Sequence, residues 1–165
     1  MSLFMIRGRG GAWWLPTVAS PTGAPTVAEI AAGQPLSAAF TAIAGLEPQS
    51  NKINIAVLKY RTEAQIGGAE TFQDVSVTIA EDDGTGVDAD ALERQEAITV
   101  MVAPSSGVLI LSRTKQTLVA ADKVFSIAAS VDAQVPNWTL DANAASTQIN
   151  LTPSTPLRAV AVLTP

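Results

Sequence analysis

The chain has 165 residues, enough for one domain with a single hydrophobic core. It contains no histidine and no cysteine. The commonest general base, the Ser-His-Asp arrangement, the commonest metal ligand, thiolate metal sites and disulfides are therefore all excluded, so neither an enzyme nor a cofactor is expected. The net charge of −5 disfavours tight non-specific binding to nucleic acid, which needs cations to neutralise phosphates.

Charged residues make up 15% of the chain and apolar residues 47%, whereas an ordinary soluble domain is about one quarter charged. So few charges suggest a surface largely covered by neighbours in an assembly; an Ala- and Thr-rich β protein with a bland surface reads the same way.

Residues 1–48 are punctuated by glycine and proline, and each proline removes a backbone donor, so an extended segment without long regular elements is expected. Apolar residues persist there, and a disordered tail would lack them. The segment is expected to pack on its own domain or on a neighbouring subunit, with Trp13, Trp14, Leu15, Val27 and Ile30 as the candidate subunit contacts. Gly8-Arg9-Gly10-Gly11 lacks the preceding strand, the following helix and the lysine of a phosphate cradle. Arg7 and Arg9 follow the apolar run 3–6, and the next such run, 12–15, is too brief for a signal peptide. No run of about 18 apolar residues occurs, so a soluble protein that does not span a membrane is expected.

Ile53, Ile55 and Val57 open the first strand-like run, which continues to residue 61. Val75, Val77 and Ile79 form the cleanest period-two run in the chain. Gly67-Gly68 lies between the two runs, which predicts that they pair antiparallel. With Val75, Val77 and Ile79 inward, Asp74, Ser76 and Thr78 point the other way; they are the lumen-facing candidates if the assembly encloses a channel, although an outer solvent face is equally permitted. Between Glu70 and Glu96 there are nine acids and one base, Arg94, a balance that would repel phosphates.

Glu81-Asp82-Asp83-Gly84-Thr85-Gly86 reads as a turn and 88–97 as the one convincing helix. Asp88 or Asp90 is placed to cap it, and Glu93 to complete a capping box. Val87, Ala91, Leu92, Gln95 and Ile98 make its expected inner stripe. The acids do not have the alternating ligand spacing of a calcium loop. Residues 108–111 are continuously apolar, as in a strand buried on both faces. Phe125, Ile127, Ala129 and Val131 alternate in another strand, Ile149 and Leu151 begin a further one, and 157–163 closes the chain. The expected fold is mainly β, a β-sandwich or partial barrel with one flanking α-helix, whose open edges a ring of subunits could close into an oligomeric barrel.

Two stretches carry a family resemblance. Pro25-Thr26-Val27-Ala28-Glu29-Ile30-Ala31-Ala32-Gly33 resembles a stretch near the N-terminus of major tail (tail tube) proteins from siphophages infecting actinobacteria. Thr71-Phe72-Gln73-Asp74-Val75-Ser76-Val77-Thr78-Ile79, followed by an acidic turn and a helix from Asp88, is similar to the order of elements in the same proteins. The start at Trp13-Trp14 departs from that family.

The resemblance implies a structural virion subunit of a single tail-tube domain spanning 1–165. It implies homohexameric rings stacked into a tube, an inner β-barrel through which DNA passes without specific binding, and bridges to the next ring from residues 1–21 or 46–59. The implied partners are further copies of the chain, the tape measure and the tail terminator; the implied location is the virion tail, assembled in the host cytoplasm. Other readings are a capsid decoration or head–tail connector protein, and a carbohydrate- or host-binding β-sandwich. Under the tube reading, removal of residues 1–15 is expected to leave a folded domain that no longer polymerises.

Overall fold

The structure, a computed structural model, describes residues 9–55, 64–72, 74–137 and 145–163, with 48–55 and 64–72 described as backbone. Its elements are β1 (Gly11–Leu15), α1 (Val27–Ala32), β2 (Gln34–Pro35), β3 (Phe40–Ala44), β4 (Pro48–Ile55) and β5 (Ala64–Phe72). They continue with β6 (Val75–Ala80), α2 (Ala89–Val100), β7 (Ser105–Ser112), β8 (Lys123–Asn137), β9 (Ser146–Pro153) and β10 (Arg158–Ala161). Eight strands form one antiparallel sheet in the order β2-β1-β7-β8-β9-β6-β3, with β10 pairing the first residues of β8; β4 and β5 form a separate two-stranded sheet. The fold is mainly β, as the alternation of the sequence predicts.

The sheet is buried on both sides over part of its width, because β7 lies between two apolar cores. Successive side chains of a strand point to opposite faces. Leu109 accordingly joins Trp14, Ile127, Ile149, Leu151 and the β6 valines, while Ile110 joins Trp13, Leu15, Ile30, Val124 and Val162. The continuous apolar run of β7 is explained by this position. Close packing also dictates Gly107: a Cβ there would stand 2.6 Å from the Trp14 ring and from the Leu15 carbonyl oxygen. On β6, Val75, Val77 and Ile79 are buried, in register with Leu151, Ile149 and Thr147 of β9.

Three local expectations are corrected. The stretch 9–47 is built into the domain: β1 runs between β2 and β7, and α1 forms where no helix was expected. The helix exists because Thr26 and Glu29 make a reciprocal capping box, in which the Thr26 hydroxyl accepts from the Glu29 amide and the Glu29 carboxylate accepts from the Thr26 amide. Because β1 contributes to both cores, the folded remainder expected on removal of residues 1–15 would lack a strand that each core uses. The pairing around Gly67-Gly68 also differs. These glycines lie inside β5, whose partner is β4, whereas β6 pairs with β3 and β9. The alternating side chains of β6 find apolar partners on those strands; residues 56–61 of the first run lie outside the described residues.

The α2 stripe is the last correction. Asp88 is the N-cap, accepting from the Ala91 amide, but Glu93 instead accepts from the Ala38 amide at 2.6 Å. The buried positions are Ala91, Ala97 and the C-cap Met101, while Val87 is 87% and Leu92 47% exposed. Small alanines let the helix lie close on the sheet, and Gln95 is held by Asp82 and the Gly86 carbonyl, which turns Leu92 outward.

Candidate assembly surfaces

Four of the five apolar residues singled out as subunit contacts have their side chains inside the protomer. Trp13 is 7% exposed, Trp14 2%, Leu15 0% and Ile30 7%. Val27 is half-buried against the second core. Alternation along β1 sends Trp14 to one core and Trp13 and Leu15 to the other. A strand flanked by apolar layers on both sides leaves these side chains little area for a neighbour.

Asp74, Ser76 and Thr78 are brought together with a set of residues that periodicity on β6 alone could not find. Register places Ser76 beside Asn150 and Ala44, and Thr78 beside Gln148 and Ala42. It also places Thr152 beside Ser130. This face of β3, β6, β9 and the second half of β8 is polar, with Ala42, Ala44, Gln148 and Thr152 exposed. Its charges among the described residues are Asp74 and Asp132, both acidic. The Thr152 hydroxyl hydrogen-bonds the Asp132 carboxylate and lies 3.4 Å from Asp74 Oδ1. The signal that would have found the wider face is the matching alternation of β9, Gln148-Ile149-Asn150-Leu151-Thr152, read together with that of β6.

On the opposite side of the sheet, an open groove of about 1100 Å³ lies between β3 and the start of β1. Its apolar lining includes Phe40, Ile43, Leu46, Leu111 and Leu157, half-buried residues at the margin of the first core, together with half-buried Phe125, and Arg113 stands on its wall. By strand alternation Arg113 and Lys123 share the face of the groove, whereas Arg158 shares the opposite face with Val160. Leu111 is opposite Phe125 and Gly11 opposite Ser112, so Arg9, Arg113 and Lys123 occupy one end of the sheet, with Arg158 on β10 opposite Ser126. All four are exposed. Among the described residues the ion pairs are Arg94–Asp82 at 3.8 Å and Lys115–Asp122 at 2.6 Å, so these four cations have no carboxylate within ion-pair distance there.

The acidic turn occupies the other end. Ala80 and Asn137 are both in register with Ser146, and the Glu81 amide donates to the Ala145 carbonyl. Asp82 Oδ1 accepts from the Gly84 amide at 3.0 Å and from Gln95 Nε2 at 2.9 Å, tying the turn to α2. The Thr85 hydroxyl and amide hold the Asp83 carboxyl below its ordinary range. Asp83, Asp88 and Asp90 are exposed, and Val87 projects among them. Among the described residues no group of three acids converges as a metal site, and no helix is long and apolar enough to cross a membrane.

The sequence matches the phage tail tube protein family over residues 2–165. The chain belongs to that family. It is a structural component of the virion tail. The likeness extends to solved structures at low identity. A chain of the sheath–tube complex of the PVC extracellular contractile injection system in its extended state is 14% identical, with a TM-score of 0.56 over 93% of this chain and 89% of that one. A chain of the sheath/tube terminator of the same system is 11% identical, with a TM-score of 0.57 over 98% of each chain. A chain of the anti-feeding prophage baseplate is 10% identical, with a TM-score of 0.56 over 98% of this chain and 99% of that one. Identities this low establish a shared fold. No curated protein matches the sequence.

Proposed function

We propose that this tail tube protein assembles as hexameric rings that stack into a tube, and that the tube conducts DNA into the host. The observation that carries the reading is the polar face of β3, β6, β9 and β8, which lies next to the open edge strand β3 and carries acids but no base. In a ring, β3 pairs with a neighbour and the sheet continues around the axis, which removes its exposed edge. Asp74, Ser76 and Thr78 then face the lumen together with Gln148, Asn150 and Thr152. Small polar side chains and scattered negative charge give DNA no cation to hold and keep its phosphates away from the wall.

The separate hairpin β4–β5 leaves and rejoins the sheet between the end of β3 and the start of β6. It is the bridge to the next ring, and it includes part of the 46–59 stretch. The chain works by assembly and not by catalysis. Its partners are further copies of itself, with a terminator and a tape measure at the tube's limits, and assembly takes place in the host cytoplasm. The siphophage and actinobacterial setting rests on the two sequence stretches quoted above.

Electron microscopy of the purified full-length protein at increasing concentration tests the reading. Six-fold rings or hollow tubes are expected; a monomer at every concentration would contradict self-assembly of the chain.

A further inference from the structure

The apolar groove is left open by the strand order. β2 covers β1 at Trp13 and Trp14, and β3 ends the sheet on its far side. Gly10, Gly11 and Ala12 line one wall of the groove and Phe40, Ile43 and Leu46 the other. The last three pack at the margin of the first core but are only half-buried, so a further apolar layer would remove their remaining area from water. The described chain begins at this wall: Arg9 lies in a turn, directly before Gly10. The eight residues before Arg9 lie outside the described residues, and Leu3-Phe4-Met5-Ile6 among them is an unbroken apolar run. Ile6 is at most about 10 Å from Arg9 and Leu3 at most about 20 Å, since an extended chain spans about 3.3 Å per residue.

We propose that Leu3-Phe4-Met5-Ile6 of the same copy seats in the groove and completes the cover of the first core. The occupant follows from where the chain arrives and from what it carries. A segment tethered at the groove's own wall meets it at an effective concentration on the order of millimolar, which a neighbour's segment does not match in dilute solution. Four successive apolar side chains lose no polar partner on leaving water, and the groove offers them an apolar lining. The groove lies on the opposite side of the sheet from the polar face, so the protomer enters an assembly with that face and the outer edge of β3 still open to a neighbour. The inference goes beyond the tube reading and does not rest on it.

The test uses the full-length chain in dilute solution. F4D/I6D keeps the length of the segment and breaks its apolar run. Its thermal midpoint, followed by circular dichroism, is expected to fall by about 5 °C or more, whereas the same substitutions on a solvated segment leave the midpoint unchanged. The chain has no cysteine, so each introduced pair of thiols is unique. A short thiol crosslinker is expected to join Met5→Cys to Leu46→Cys within one chain, read by intact mass. It is expected to leave Met5→Cys and Arg158→Cys unjoined, because Arg158 is on the opposite face. Where the Leu46→Cys variant does not fold, exposed Thr41→Cys on the same groove makes the comparison.

An unchanged midpoint for F4D/I6D, or crosslinking that does not distinguish the two pairs, overturns the inference. So does crosslinking that appears only between chains, in a mixture of the M5C and L46C single variants, which would assign the groove to a neighbour's segment. None of these readouts needs rings or tubes, so a failure of the tube reading is a separate result.

Discussion

Gln134 of β8 donates from Nε2 to the carbonyl oxygen of Ile98, 2.7 Å away in the last turn of α2. The same nitrogen lies 2.9 Å from the Met101 carbonyl oxygen. The last carbonyls of a helix have no partner within it, and here one strand residue serves two of them. The helix is thus fastened at its end to the sheet strand that borders the polar face.

Replacing Gln134 by alanine is expected to lower stability by about 1–3 kcal/mol, since both half-buried carbonyls lose their partner. Urea denaturation measures it. A change within error would mean that α2 is held by apolar packing alone.

Val77→Asp is expected to abolish folding, because residue 77 is 0% exposed and a carboxylate there has no partner. Thr78→Asp, one position on and facing the other side of the sheet, is expected to fold. Soluble expression and circular dichroism of the two variants check the facing of β6, and two equally folded products would contradict it.

Truncation after Leu15 is expected to yield no folded protein. The cut removes β1, and with it Trp14 and Leu15, which are 2% and 0% exposed and belong to different cores. Limited proteolysis is the direct readout: rapid and complete digestion is expected, and a protease-resistant product would show that the rest of the sheet closes without this strand.

Glu29 sets a pH dependence. Hydrogen bonds from the Thr26 and Ala19 amides, with a further one from the Thr26 hydroxyl, outweigh desolvation and hold its pKa below the ordinary 4.5. A depressed folded-state value makes the contribution present above pH 4.5 and lost as pH falls through the folded-state pKa. Glu29→Gln is therefore expected to flatten the loss of stability on acidification below about pH 4.5, measured as urea midpoints between pH 6 and pH 3. An unchanged acid limb would mean that other carboxylates account for it.

The elements legible in the sequence are those whose signal is local. The period-two run of β6, the Asp88 cap of α2 and the doubly buried run of β7 each follow from residues a few positions apart, since side-chain direction and helix capping are decided within one turn or one pleat. Thr26 and Glu29 carried a readable capping signal too, but the surrounding prolines and glycines argued against a helix. The absence of histidine and cysteine likewise excluded whole classes of chemistry without any structure.

Other features needed the tertiary structure. Gly67-Gly68 reads locally as a break between two strands; its place inside β5 depends on pairing with β4. For Trp13, Trp14 and Leu15 the sequence leaves open whether an apolar extended segment packs on its own domain or on a neighbour; β7, about 95 residues away, and the two cores cover them. The polar face and the apolar groove on the other side of the sheet are products of strand register. Register is fixed by which apolar faces can be buried together across the whole sheet, and that choice is made by the folded chain as a whole.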